Sequence, residues 1–182
     1  MSRPTHQLRH EHRVIERAMR ALEGMCFRIQ AGDGAPCEEL TKLLDFIRNY
    51  TDRLHHEKEE THLFPALEQI GVRDEGGPLA FLRDELETER GLISDLELAV
   101  EEYRHDSAAY EKFVSAALRF KDHLIGHMQQ EEAILFRLAQ EMLDDRVKDS
   151  LTRAFVEENA EAREWTLRYE QLAKELEKTW TL

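Results

Sequence analysis

Apolar residues recur at steps of three and four through most of the chain, the period of helices that each bury one side. Five such stripes can be followed. The first runs Leu8, His12, Ile15, Met19, Leu22, Cys26, Ile29, and the second Leu44, Ile47, Thr51, His55, Glu59, His62, Ala66. The third reads Leu82, Leu86, Glu89, Ile93, Leu96, Val100, Tyr103, and the fourth Phe113, Ala116, Phe120, His123, His127, Glu131, Ile134, Leu138. The fifth carries Val147, Leu151, Phe155, Ala162, Trp165, Tyr169, Leu172 and Leu176. Between them lie "AGDGAP" at 31–36 and "GVRDEGGP" at 71–78, glycine-rich breaks that end in a proline suited to a first helical turn. Asp106 or Ser107, and the aspartates after Leu143, offer N-caps for the last two segments. The pattern predicts helices near 4–30, 36–70, 78–104, 107–143 and 145–180. Short connections favour antiparallel neighbours. The expected fold is therefore all-α: an up-down-up-down antiparallel four-helix bundle over residues 1–143, with an additional long C-terminal helix over 144–182. That helix packs on the bundle or forms a homodimer interface.

The informative positions are those where a stripe stops being apolar. His12 stands near the start of the first helix and Glu89 about three turns into the third. His55, Glu59 and His62 lie toward the end of the second, and His127 and Glu131 toward the end of the fourth. In an antiparallel bundle these four places meet at one end, facing inward. "HHEKEETHLF" at 55–64 is echoed by "HMQQEEAILF" at 127–136, so two helices each supply a His-x-x-x-Glu pair. A histidine and a glutamate four apart lie one above the other on a helix and suit a metal ion. As ordinary i,i+4 pairs they would need no ion, but the duplicated flanks and the common destination favour ligands.

Buried carboxylates need a metal or a counter-charge, and few lysines or arginines fall on these stripes. Nitrogen and oxygen donors without thiolate point to iron, manganese or zinc. The number of donors suits two carboxylate-bridged ions, which favours a non-haem di-iron centre over a single tetrahedral zinc. The candidate ligands are His12, His55, Glu59, Glu89, His127 and Glu131. His62 and His123 are further candidates as ligands, supports or gates. His56 is expected on the polar side with Glu57 and Glu60, although a small rotation of the second helix would bring it in. His6, His10 and His105 are given no role.

Composition narrows the class without naming a function. Charged residues make up 35 % of the 182, with 8 glycines and 4 prolines, the profile of a long-helix protein. The net charge of −13 repels phosphate backbones and anionic lipid, so nucleic acid and membrane surfaces are poor partner classes. Cys26 and Cys37 form no framework, and no apolar run approaches a membrane span. The expectation is a cytoplasmic protein with reduced thiols.

The strings "LRHEHRVIERAM", "FIRNYTDRLHHEKEETHLFPAL" and "HLIGHMQQEEAILF" resemble the hemerythrin-like, or HHE cation-binding, family over about residues 5–140. The resemblance implies a four-helix bundle with a non-haem di-iron centre that binds or reacts with dioxygen, nitric oxide or peroxide, or reports iron and oxygen status. It carries the ligand role onto His12, His55, Glu59, His127 and Glu131. The third helix departs from the family pattern: in "GPLAFLRDELETERGL" the place of a histidine is taken by Leu86. Glu89 is the natural substitute, with His123 as the other source of a donor. Two further readings stand beside this one. A ferritin-like peroxidase or oxidase would use Glu59-x-x-His62, and a metal-free bundle would act through its last helix. Bound iron separates the last reading from the others.

Overall fold

The computed structural model describes residues 4–181. Residues 1–3 and 182, within the ranges expected for the bundle and the last helix, lie outside them. Among the described residues there are six helices and no strand. Helix α1 is Pro4–Ala31. Helix α2 spans 37–69, starting with Cys37–Phe46 and ending with Phe64–Gln69. Helix α3 is Pro78–His105. Helix α4 spans 110–142 and follows a single 3₁₀ turn at Ser107–Ala109. Helices α5 and α6 are Asp145–Glu161 and Arg163–Trp180.

The ends are set by local chemistry. The Asp106 carboxylate accepts from the Ala108 amide at 2.9 Å, and Asp144 from the Val147 amide at 2.8 Å, each satisfying a donor that helix geometry leaves free. Pro78 stands in the first turn of α3, where its missing N–H costs nothing. At the end of α1, Gly32 takes φ 88°, and the Asp33 amide reaches back to the Arg28 carbonyl at 3.0 Å.

Ion pairs show the register. Between α1 and α4, Glu23 meets Lys121 and His12 meets Glu132. Between α2 and α3 the partners are Arg48 with Glu97, Asp52 with Arg90 and Glu68 with Arg83. Glu102 meets Lys112 and Glu85 meets His127 between α3 and α4. In every case the number rises on one helix as it falls on the other, so these neighbours run antiparallel.

The expected fifth helix is two helices. Ala162 leaves helical geometry at φ −97°, ψ 11°, because the halves serve different surfaces. Leu151 and Phe155 of α5 pack over the end of the bundle with Leu8, Leu63, Leu79 and Leu135. Tyr169, Ala173, Leu176 and Trp180 of α6 pack with α1 and α2 in the larger core. Helix α6 runs parallel to α1, with Glu170 on His10 and Glu177 on Arg20. It comes close at Gly24, where a Cβ would lie 1.6 Å from the Trp180 carbonyl oxygen.

Helices α2 and α4 are not regular. Ile47–His56 and Glu59–Leu63 in α2, and Glu131–Leu135 in α4, are wound as π-helix. Wide i→i+5 turns shift the phase of every later position. Accordingly His56, Lys58, Leu63 and Phe64 turn inward. His62 is only half-buried, and Ile134, expected inside, is exposed.

Two apolar clusters divide the interior. The larger holds Val14 and Ile15 of α1, residues of α2 up to Leu54, Ile93 onward of α3 and α4 up to Met128. The smaller begins at Leu8, Leu63, Leu86 and Leu135. Between these limits each of α1–α4 contributes buried polar residues, and they form one layer across the bundle.

Candidate metal centre

That layer contains Glu11 and His12 from α1, His55, His56, Lys58 and Glu59 from α2, Glu89 from α3, and His127 and Glu131 from α4, all buried. Glu131 Oε2 lies 3.3 Å from His12 Nε2, and its Oε1 lies 3.2 Å from Nε2 of His127. Glu59 Oε2 lies 3.8 Å from His55 Nε2. Glu89 Oε1 lies 3.7 Å from His56 Nδ1. The rings form a chain, with centroids 4.7 Å apart for His12 and His55, 5.2 Å for His55 and His56, and 5.6 Å for His56 and His127.

The outer ring nitrogens are bound by carboxylates. His12 Nδ1 meets Glu132 at 2.9 Å, His55 Nδ1 meets Glu11 at 3.0 Å, and His127 Nδ1 meets Glu85 at 3.3 Å. A carboxylate on Nδ1 fixes the proton there and turns the Nε2 lone pair inward, as a metal-binding histidine requires. Nε2 of His12, His55, His56 and His127 has no hydrogen-bond partner among the described residues, and neither has any carboxylate oxygen of Glu59, Glu89 and Glu131. Ten buried polar atoms without a hydrogen bond, some of them held only by ion-pair contact within the layer, would be costly for a finished core. Imidazole nitrogens and carboxylate oxygens are the donor set for iron, manganese or zinc, so these residues fit a metal. Ligand atoms of His12, His55, Glu59 and Glu131 all fall within 4.8 Å of one another, close enough to share an ion.

Electrostatics within the layer follows from burial and crowding. Burial, with Glu131 close by, holds the Glu59 carboxyl well above its ordinary range. Burial likewise lifts Glu89 to about 8, Glu131 adding to the shift and His127 opposing it. Burial would raise Glu131 too, but His127 and His12 pull it well below the carboxylate range. His127 is the counterpart: burial opposes its charge, yet Glu131 and Glu89 raise it to about 9. Desolvation leaves His55 and His56 easier to keep neutral, the latter strongly so. Burial works against an ionised Glu11, and the His55 hydrogen bond and the Lys58 ammonium overcome it. Two of the carboxyls, Glu59 and Glu89, thus hold their protons more firmly, while Glu131 and Glu11, which face histidine and lysine, give theirs up.

The structure thus brings together His12, His55, Glu59, Glu89, His127 and Glu131. It adds His56, which the wide turns of α2 rotate inward against the expectation of a polar-side position. His123 stands apart, its Nε2 3.0 Å from the Glu85 carbonyl oxygen. His62 faces Glu158 at 3.6 Å and lies edge-on to Phe155. Leu86 belongs to the smaller apolar cluster.

Sequence reasoning missed Glu11, Lys58, Glu85 and Glu132. Glu11 lies three residues after Leu8 and four before Ile15, so the stripe itself carried its signal. Lys58 had none, because the stripe runs through 55, 59 and 62 and a lysine beside it reads as solvated. It supplies an inward cation where few lysines or arginines were expected.

A family model described as hemerythrin HHE cation binding domain matches residues 3–139. Helices α5 and α6 lie beyond the match. Comparison with curated proteins and with solved structures gave no match.

Proposed function

The chain belongs to the hemerythrin HHE cation-binding domain family, and from that premise we propose that its buried layer holds two iron ions bridged by carboxylate. The ions serve binding of, or reaction with, dioxygen, nitric oxide or peroxide in sensing, storage or stress response. One observation carries the reading: four histidine Nε2 atoms and six carboxylate oxygens are buried together without hydrogen bonds, with Glu131 between His12 and His127. One ion would draw on His12, His55, Glu59 and Glu131, and the other on His56, His127, Glu89 and the second oxygen of Glu131. Iron held there supplies one-electron chemistry and affinity for small oxygen and nitrogen ligands.

The chain's own residues decide how that chemistry is housed. Glu11, Glu85 and Glu132 orient three of the rings. The two apolar clusters exclude bulk water from both sides of the layer. Glu89 stands on the helix where the family pattern has a histidine. Its anionic oxygens favour ferric over ferrous iron, and so favour oxidation chemistry or iron holding over reversible oxygen carriage. Manganese or zinc would satisfy the same donors.

The ferritin-like reading gains nothing from His62, which is paired with Glu158. No helix among the described residues is long and apolar enough to cross a membrane. A homodimer through the C-terminal helices would use their outer side, where Val156 and Leu167 are exposed.

Metal analysis and the optical spectrum of protein from iron-supplied cells test the proposal. About two irons per chain are expected, as in di-iron bundles generally, with charge-transfer absorption in the near ultraviolet that changes when nitric oxide is added. Protein that takes up no iron on anaerobic reconstitution would end the metal reading and leave a helical scaffold.

A further inference from the structure

Lys58 is fully buried, among the largest side chains in the molecule to be so. Its ammonium donates to Glu11 Oε1 at 2.5 Å, and Glu11 Oε2 is 3.0 Å from His55 Nδ1. Gln7 Nε2 donates to Glu11 Oε1 at 3.3 Å. Both carboxylate oxygens are therefore engaged, and Glu11 is held facing the ring. Stability gives no reason for such an arrangement, because a buried ion pair is often matched or bettered by apolar residues of similar volume.

The other two oriented histidines differ. Glu132, on His12, is 43 % exposed and shares its charge with half-buried Arg9 at 3.5 Å. Glu85, on His127, is partly exposed. Water screens those charges, whereas a carboxylate and a cation sealed in the core act at low dielectric and at full range. Lys58 also lies between the two wide-turn segments that turn His55, His56 and Glu59 inward. The same distortion of α2 that delivers the ligands delivers the cation.

We propose that Lys58 and Glu11 are a positioning dyad for the centre: a buried ion pair that holds His55 in its Nδ1–H tautomer and, by fixed charge, sets the reduction potential of iron bound beside it. This inference rests on the metal reading above. Neither residue touches a reacting atom; both act through His55. Removing the cation leaves an uncompensated carboxylate behind the ring, which favours the more highly charged ferric ion. Removing the carboxylate charge leaves the cation, which favours ferrous iron.

The experiment measures iron content and midpoint potential in wild type, Lys58→Met, Glu11→Gln and the double variant. With iron content retained, the potential is expected to fall in Lys58→Met, to rise in Glu11→Gln and to return toward wild type in the double. A loosened fold would not move the two singles in opposite directions. Potentials that stay put, or shift the same way in both, overturn the electrostatic role.

Nitrogen-15 NMR of the metal-free protein tests the tautomer separately and needs no iron. His55 is expected as a single Nδ1–H form in wild type and as a tautomer mixture in Glu11→Met. In Glu11→Gln it is expected to shift toward Nε2–H, because the amide oxygen stays on Lys58 and the NH2 then donates to Nδ1. An unchanged tautomer in Glu11→Met overturns the positioning role. Absence of iron uptake by wild type would overturn the metal reading and the potential-setting role with it, leaving the NMR result to decide the tautomer.

Discussion

Glu131 reaches one histidine of its own helix and one of α1, at 3.2 and 3.3 Å. No other carboxylate in the layer is as close to two imidazole Nε2 atoms, so its loss should damage both halves of the proposed centre. Glu131→Ala is expected to abolish iron binding at both positions, seen as near-zero iron by metal analysis in a chain that remains helical. His62 supplies the contrast. It also falls on the sequence stripe, yet the structure turns it to Glu158 at the foot of α5. His62→Ala should leave iron content at the wild-type level, and a large loss of iron would restore it to the ligand set. The two residues look alike in sequence because helical periodicity ranks positions by angle alone. Only the wide turns of α2 and α4 decide which angle is inward.

At the scale of elements, α6 shows how tightly a helix can be tied by one missing side chain. Glycine inside the 28-residue α1 is poor in propensity by about 1 kcal/mol against alanine. Adding a methyl at Gly24 should therefore help α1 as a helix. In the folded chain, however, that methyl would lie 1.6 Å from the backbone carbonyl oxygen of Trp180. Backbone cannot rotate away as a flexible side chain would, so the clash should outweigh the propensity gain. Gly24→Ala is expected to destabilise the protein by about 1–3 kcal/mol, the range for overpacking. Urea denaturation should show it, together with a red shift of Trp180 fluorescence. Iron content should hold, because Gly24 packs in the larger cluster, three turns of α1 from the polar layer. The break at Ala162 belongs to the same scale. Neither glycine nor proline marks it in the sequence, since it arises from the need of α5 and α6 to cover two different surfaces.

For the whole molecule, the decisive feature is a charged layer sealed between two apolar cores, and its proton inventory should govern stability with pH. Glu89, at about 8, and Glu59 hold protons far above the ordinary carboxyl value of 4.5. His127, at about 9, holds one above its ordinary 6.5. Groups whose folded values are raised stabilise the fold fully below their unfolded values and lose that contribution as pH climbs through the folded ones. The depressed groups, Glu131, Glu11, His55 and His56, act the other way and lose their contribution only as pH falls. Above pH 6.5 the first set acts alone. Metal-free protein should therefore lose stability between pH 6.5 and 9, with a slope of about 1.4 kcal/mol per pH unit for each proton involved. Iron-loaded protein, its ligands already deprotonated, should show little of this fall. Thermal unfolding of stripped and loaded protein at the two ends of that range checks both statements, and a flat profile for stripped protein would contradict the inventory.

By itself the sequence determined that the chain is helical, where most of the helices turn, and that His12, His55, Glu59, Glu89, His127 and Glu131 belong to one inward-facing layer. These are local or periodic properties: caps, breaks and a three-to-four repeat are written in neighbouring residues and survive any detail of packing. What tertiary structure decided is phase and partnership. His56 and Lys58 were turned in, His62 and Ile134 were turned out, Glu11 was paired across helices with both His55 and Lys58, and the last helix was cut in two. Each of these depends on wide turns or on contacts between residues far apart in the chain. The energy that fixes them is that of burying polar groups with their partners, and it exists only once the helices have met.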